Sequence, residues 1–269
     1  MQETSNVTFS FGKNWQDFVH TSLTPERITA AKERLTEFLE LSNFTGKHFL
    51  DVGCGSGLSS LAAYELGAQK IVSFDLDPDS VRTTAKLKEL AGNPEHWTVL
   101  QGSILDQQFL RTLEKADIVY SWGVLHHTGQ MWEAFANTAN LLHETSLLYV
   151  ALYTTTPKSP FWLRVKKKYN HTSVSGKRFM EYQFIGLHLL KVLLFNRKNP
   201  VRYVQEYHNN RGMSYRHDVR DWLGGYPYED AKIEEVLQYG RKQLALELIN
   251  LKTGEANTEY LFIKKHGKD

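Results

Sequence analysis

The chain has 269 residues, 41% of them hydrophobic, with 32 Lys and Arg against 30 Asp and Glu. That length and apolar content are enough for one large domain, or one domain with a substantial insertion, and exclude a disordered or low-complexity chain. The single cysteine, Cys54, excludes an intrachain disulfide. Nothing in the N-terminal MQETSNVTFSFGK resembles an apolar signal core, and no uninterrupted apolar run reaches the roughly 20 residues needed to cross a bilayer. The longest run, residues 184–195, is broken by His188 and Lys191. A cytoplasmic protein is expected.

The net charge of +2 hides an asymmetry. Between Lys158 and Arg216 there are 13 Lys and Arg against two acids, Glu181 and Glu206, so this segment carries +11 and the remainder −9. The positive charge is concentrated in one block.

In chain order, residues 9–18 (FSFGKNWQDF) are aromatic-rich without a clear period, and suit either core packing or an arm over the sheet edge. Thr24 then reads as an N-cap and Pro25 as the first position of a helix with Ile28, Leu35, Phe38 and Leu39 on one side. A short apolar strand at 49–52 runs into Gly53, Gly55 and Gly57. A helix over 58–66, stopped by Gly67, and a strand at 71–74 follow. Asp77 and Pro78 open a helix that runs to Leu90. Strands are predicted at 98–101, 118–122 and 147–153, with helical stretches near 109–113 and at 131–142. Five strands joined by helices imply a parallel, right-handed, doubly wound α/β sheet of Rossmann-like type.

After Tyr153 the rhythm breaks for about eighty residues of helical pieces and turns, without a convincing strand. It resumes with a helix at 233–243, a strand at 244–251, a turn at Thr253 and Gly254, and a last strand at 259–264, together a β-hairpin. The expected division is an N-terminal arm and helix (1–45), a core (46–153), a mostly helical basic lid (154–232), and a C-terminal helix and hairpin completing the core (233–269).

Residues 48–77 (HFLDVGCGSGLSSLAAYELGAQKIVSFDLD) carry the chemistry. A dinucleotide fold requires a third glycine three places after the second, and Leu58 occupies that place. The glycines instead alternate behind an acid, Asp51. With DVGCGSG, Asp75 at the end of the second strand and QGSILD after the third, the chain resembles the class I S-adenosylmethionine-dependent methyltransferases over residues 49–153 and the closing hairpin. The resemblance implies seven strands with the last antiparallel, and S-adenosylmethionine as cofactor.

The glycines, Gly53, Gly55 and Gly57 with Cys54 among them, let the backbone lie against the cofactor, and the following helix N-terminus offers N–H groups to its carboxylate. Asp51 is expected to orient the amino group. The resemblance gives Asp75, with Leu76 beside it, to the ribose hydroxyls, and Ser103, Ile104 and Asp106 to the adenine. Ser103 departs from the acid that many relatives carry, which shifts weight to Asp106. Trp15, Trp122 and Gly123 complete the expected cofactor contacts.

In YSWGVLHHTG, His126 and His127 follow the fourth strand at the rim, where a histidine can take a proton near neutral pH. His127, nearer the loop, is the first candidate for a general base. Packing is the competing role for both. In the lid, Arg211, Tyr215, Arg216, His217 and Trp222, together with Tyr153, are the candidate acceptor-binding residues. Lys166, Lys167 and Lys168 read as a solvated face. With FGKNW and WGVLHHTGQMW, this segment resembles a subgroup of methyltransferases encountered among sugar and capsule-modification genes. The expected reaction is methylation, O- favoured over N-, of a small polar, anionic acceptor such as a nucleotide-linked sugar, glycan or phosphoramidate precursor. A lipid or quinone acceptor presented at a membrane surface and a non-catalytic S-adenosylmethionine-binding regulator are the alternatives. No nucleic-acid partner is expected, since basic and aromatic residues are not interleaved on an RNA-binding motif, and no His and carboxylate cluster has metal-ligand spacing.

Overall fold

A computed structural model describes residue 12 and residues 23–211, 215–254 and 256–265. Strand β1 (His48–Val52) is followed by helix α2 (Leu58–Glu65), β2 (Lys70–Asp75), α3 (Pro78–Leu90), β3 (Trp97–Gln101) and a short α4 (Gln107–Leu110). Next come β4 (Ala116–Trp122), a 3-10 turn (Leu125–His127), α5 (Met131–Asn140) and β5 (Leu142–Tyr153). Helix α1 (Pro25–Leu39) precedes them, and α10 (Ile233–Gln243), β6 (Leu246–Thr253) and β7 (Asn257–Lys264) close the chain.

The seven strands form one sheet in the order β3-β2-β1-β4-β5-β7-β6. Neighbours from β3 to β5 pair in parallel, and β7 is antiparallel to both β5 and β6. The chain winds outward from β1 to β3 and then returns to place β4 on the other side of β1. That reversal opens a crevice at the carboxyl ends of β1 and β4, where open α/β sheets bind ligands.

Both faces of the sheet are covered, so its strands are apolar at successive positions rather than alternating with polar ones. Phe49, Ile71, Ile118, Tyr149 and Leu261 face one layer, with Phe38 of α1, Leu61 of α2 and Leu87 of α3. Leu50, Val72, Val119, Leu148 and Phe262 face the other, with Phe135 of α5 and Val236 of α10. Pro25 stands at the start of α1 as expected, but Thr24 makes no side-chain cap. Asp77 does cap α3, accepting from the Asp79 N–H at 2.9 Å.

Strand β5 begins five residues before the predicted Leu147. Its first part passes through Thr145 at φ 67° and an irregularity in pairing with β4 between Ala116 and Ile118. A positive-φ break of this kind interrupts the apolar pattern on which the prediction rested. The closing strands run to Thr253 and from Asn257, which shifts the hairpin turn relative to the prediction.

The insertion consists of α6 (Ser159–Asn170), α7 (Val174–Leu194), α8 (Pro200–Arg211) and α9 (Tyr215–Gly224). These helices have a core of their own, formed by Tyr169, Tyr215, Val219 and Leu223 with Trp162, Phe184 and Tyr203 against them. The insertion leaves and re-enters the sheet at one place. Thr154 bridges Ala231, the Thr155 N–H donates to Ala231 O at 3.0 Å, and the Ala231 N–H donates to Tyr153 O at 3.1 Å.

Candidate active site

The site begins where β1 ends. Gly53, Gly55 and Gly57 have φ of 76°, 53° and 77°, a left-handed backbone that favours glycine. The first of these turns is fixed by the N–H groups of Gly53 and Cys54, which both donate to Phe74 O, at 2.8 and 3.0 Å. A Cβ on Gly53 would lie 2.5 Å from the Val124 side chain, and one on Gly57 would lie 2.8 Å from Thr84 Oγ1. Gly57 caps α2 without a side chain, so the first turn of that helix keeps its electropositive N–H groups.

Two carboxylates flank this loop. Asp51 is buried beneath it and receives the Ser60 hydroxyl at 2.5 Å. Ser60 Oγ is in turn 2.7 Å from Ser73 Oγ, and Trp97 Nε1 donates to Ser73 at 2.9 Å. Each group donates once toward Asp51, a chain of aligned dipoles in a dry interior. Burial, with the Asp75 charge adding to it, still pushes the Asp51 carboxyl up to about 7. Asp75 sits at the tip of β2 and binds backbone with both oxygens, Oδ2 accepting from the Gly55 N–H at 3.0 Å and Oδ1 from the Asp77 N–H at 2.9 Å. Its remaining lone pairs suit a vicinal diol.

The carboxyl ends of β1, β2 and β4 and the lid enclose a cavity of about 740 Å³. Asp51, Gly53, Cys54, Gly55, Asp75, Leu76, Ser103, Ile104, Trp122 and Gly123, all predicted from sequence, line it. Gly57 does not; it turns the chain one step behind the lining. Asp106 also stays outside, because its Oδ1 caps α4 by accepting from the Gln108 and Phe109 N–H groups at 2.9 and 3.2 Å. The cavity wall after β3 is formed instead by Gly102, Ser103, Ile104 and Leu105. Asn137, which sequence reasoning missed, holds that loop by donating to Ile104 O at 2.9 Å. Trp15 lies outside the described residues. Of its segment only Gly12 is described, its N–H donating to Asp77 Oδ2 at 3.0 Å beside the cavity.

The two histidines also line the cavity, and their hydrogen bonds set their tautomers. His127 Nδ1 is 2.7 Å from Pro227 O, so that nitrogen carries the proton and Nε2 presents a lone pair. The Tyr153 N–H donates to His126 Nδ1 at 3.3 Å, so the proton of His126 is on Nε2, which is buried with no hydrogen-bond partner among the described residues. Burial is the chief reason both rings stay neutral. It pushes His127 down to about 3, and His126 well below the usual range with the charges of His127 and Lys166 adding to it. One ring offers an acceptor and its neighbour a donor.

The lid side of the cavity differs from the expectation. Tyr153 and Trp222 line it as predicted, joined by Asp218, Asp221 and Tyr226. Tyr215 is buried in the lid's own core against Tyr203 and Tyr207. Arg216 is exposed, over the Tyr182 ring at 5.8 Å, and does not line the cavity. The side chains of Arg211 and His217 lie outside what is described. Lys166, read from sequence as solvated, is fully buried instead. Its ammonium donates to Trp222 O and sits among the rings of Trp222, Tyr228 and Tyr153, at 4.8, 5.3 and 5.9 Å. Burial lowers its pKa to about 7. The lid presents acids and aromatics inward and leaves Lys167, Lys168, Arg178 and Arg216 exposed.

Residues 50–148 match the family model described as a methyltransferase domain. Residues 50–148 are a methyltransferase domain, and the chain has the class I methyltransferase fold. The magnesium protoporphyrin IX methyltransferase of Synechocystis, solved with bound S-adenosylhomocysteine, shares the fold with a TM-score of 0.55 over 94% of each chain at 13% identity. An O-methyltransferase family protein from Burkholderia thailandensis shares it with a TM-score of 0.52 over 94% of this chain and 63% of that one, at 14% identity. In sequence, a ribosomal protein L11 methyltransferase of Herpetosiphon aurantiacus is 37% identical over 70 residues, 26% of this chain. The match spans about a fifth of that relative, 22% of its length. The cofactor of the methyltransferase domain is S-adenosylmethionine, and the glycine loop, the buried acid and the carboxylate at the tip of β2 are a donor set that fits it. The stretch matched by the family model, residues 50–148, ends before the lid.

Proposed function

We propose that the protein transfers the methyl group of S-adenosylmethionine to a hydroxyl of a small polar acceptor held between the histidine pair and the lid. The observation that carries this reading is the His126 and His127 pair on the cavity wall beside the glycine loop. A hydroxyl can donate to His127 Nε2, whose ring is backed by the buried His126 ring at 4.5 Å, and this orients one oxygen lone pair toward the sulfonium methyl. In the step an oxygen–carbon bond forms, the carbon–sulfur bond breaks in line, and the hydroxyl proton passes to His127 or to solvent. Orientation alone can be worth about 7 to 11 kcal/mol, which is the larger part of what a sulfonium donor requires.

In this reading Gly53, Cys54, Gly55 and Asp75 hold the cofactor on the core, residues 46–153, and the segment 154–232 holds the acceptor. Tyr153, Trp222 and Tyr226 provide faces for a sugar-like ring, and Asp218 and Asp221 provide acceptors for its other hydroxyls. The anionic part of a nucleotide-linked sugar would remain toward the exposed Lys and Arg of the lid, which would also draw it from solution.

The test is incubation with methyl-labelled S-adenosylmethionine and a panel of nucleotide-linked sugars, free sugars, amines and quinols. A methyl ether on a nucleotide-linked sugar is the expected product. Label transferred only to amines or to quinols overturns the reading.

A further inference from the structure

The lid contains a helix that is apolar on two sides. Toward the lid core, α7 turns Met180, Phe184, Ile185 and Leu189. Toward solvent it presents Phe179, Leu187, Leu190 and Leu194, at 68, 64, 50 and 61% exposure, and the chain then leaves the helix through Phe195 at 78%. A helix apolar all round is ordinarily covered all round, and an exposed apolar patch of this size marks an interaction surface. Residues 158–205 supply its charge. At about 100° per residue, Arg178 and Lys191 fall on the two flanks of the outward stripe, and Lys158, Arg164, Lys167, Lys168, Arg197, Lys198 and Arg202 are exposed around the same insertion. The one acid in that stretch, Glu181, is turned inward and 4% exposed. It accepts from the Tyr169 hydroxyl at 2.7 Å and pairs with Arg220 at 3.2 Å.

We propose that the outward face of α7 lies on the surface of a bilayer containing anionic lipids. An apolar stripe flanked by cations, with no outward acid among the described residues of 158–205, is complementary to acyl chains below and anionic headgroups at the side. Among the described residues no helix is long and apolar enough to cross a membrane, so the helix lies in the interface and does not span it. A second copy of the chain fits less well, because pairing the two stripes would bring cations against cations along both edges. The inference does not rest on the methyl-transfer reading, and its test requires no cofactor.

The experiment is co-sedimentation of the full chain with vesicles of phosphatidylcholine alone or mixed with phosphatidylglycerol. Binding to the mixed vesicles that weakens as salt is raised is expected. Leu187→Asp with Leu190→Asp should abolish it, and Arg178→Glu with Lys191→Glu should lower it about tenfold or more. Near-ultraviolet circular dichroism shows whether each variant keeps its fold, and the salt series on the unaltered chain stands without any variant. No binding to the mixed vesicles at low salt overturns the proposal. So does equal binding to both vesicle types, or a concentration-dependent dimer in sedimentation velocity that Leu187→Asp dissolves.

Discussion

The Lys166 ammonium donates to the carbonyl of Trp222 and lies 4.8 Å from the centroid of the same residue's ring. One side chain of α6 thereby fixes both the backbone and the ring that α9 brings to the cavity. Burial holds its pKa near 7 against an unfolded value of 10.5. Between those values the unfolded chain binds a proton that the native fold does not, so this group makes stability rise with pH across that window. Replacing it by Met removes the titration and keeps the volume. Urea unfolding at about pH 7 and about pH 9.5 should show a rise of the order of 2 kcal/mol in the unaltered chain that is absent in Lys166→Met. An identical pH response in both proteins would contradict the burial of this lysine.

Asp75 connects the glycine loop to the start of α3 through the N–H groups of Gly55 and Asp77. Asp75→Ala removes these anchors and the acceptor for a ribose diol together. Charge-assisted hydrogen bonds contribute about 1.5 to 3 kcal/mol each, so affinity for S-adenosylhomocysteine should fall roughly 10- to 100-fold or more. Asp75→Asn, which keeps one acceptor oxygen, should lose less. Titration calorimetry reads both.

Gly53 and Gly57 combine positive φ with the close approach of Val124 and Thr84. Gly53→Ala should cost about 1 to 3 kcal/mol, and Gly57→Ala at least as much, because its Cβ would meet the backbone of Thr84 as well as the side chain. In a domain of this size each kcal/mol lowers the melting temperature by about 2 to 4 °C. Gly46 also has positive φ, but nothing lies within 4 Å of its Cβ position, so Gly46→Ala should lose only the backbone part.

The neutral histidine pair predicts an unusual pH profile. An ordinary histidine base would show a break near pH 6.5. With His127 held near 3 by burial, this ring should contribute no break in kcat between about pH 8 and about pH 5, and a break near 7 belongs to Asp51 or Lys166. His127→Ala should lower kcat by roughly 10²-fold, the low end for a base, since so weakly basic a ring positions the hydroxyl more than it deprotonates it. Stability should respond as well. Below pH 6.5 the unfolded chain takes protons on His126 and His127 that the native state excludes, so these two groups destabilise the fold as pH falls toward about 3. Asp51, raised to about 7, acts in the opposite direction between about 4 and 7. The difference in acid sensitivity between the unaltered chain and His127→Gln isolates the histidine contribution, and a kcat break near 6.5 that His127→Gln removes would end this account.

The cofactor half of the site was legible because its geometry is local. Alternating glycines, the acid before them and the acid at the next strand end lie within residues 51–75, and strand period alone brings them to one edge. The polar chain from Trp97 through Ser73 and Ser60 to Asp51 was not legible, since its members come from four elements and nothing local distinguishes one buried serine from another. Lys166 was hidden by its neighbours. Three consecutive lysines suggest a solvated face, yet successive residues of a helix point about 100° apart, so they cannot share one. Trp162, Val165 and Tyr169 place Lys166 on the apolar stripe of α6, a signal that was available from spacing. The inward acids Asp218 and Asp221 fell just outside the charge count, which ran from Lys158 to Arg216, and a charge count in any case says nothing of the side on which each charge lies.

The neck at Thr154 and Ala231 has a further consequence. The chain leaves and re-enters the sheet at this one point, so the insertion can be exchanged for another without lengthening or shortening any strand, provided Pro227 and Glu229, which hold His127 and the start of α5, are kept. Evolution, or an engineer, can therefore treat the insertion as a cassette and change what receives the methyl group while the machinery that delivers it is inherited intact.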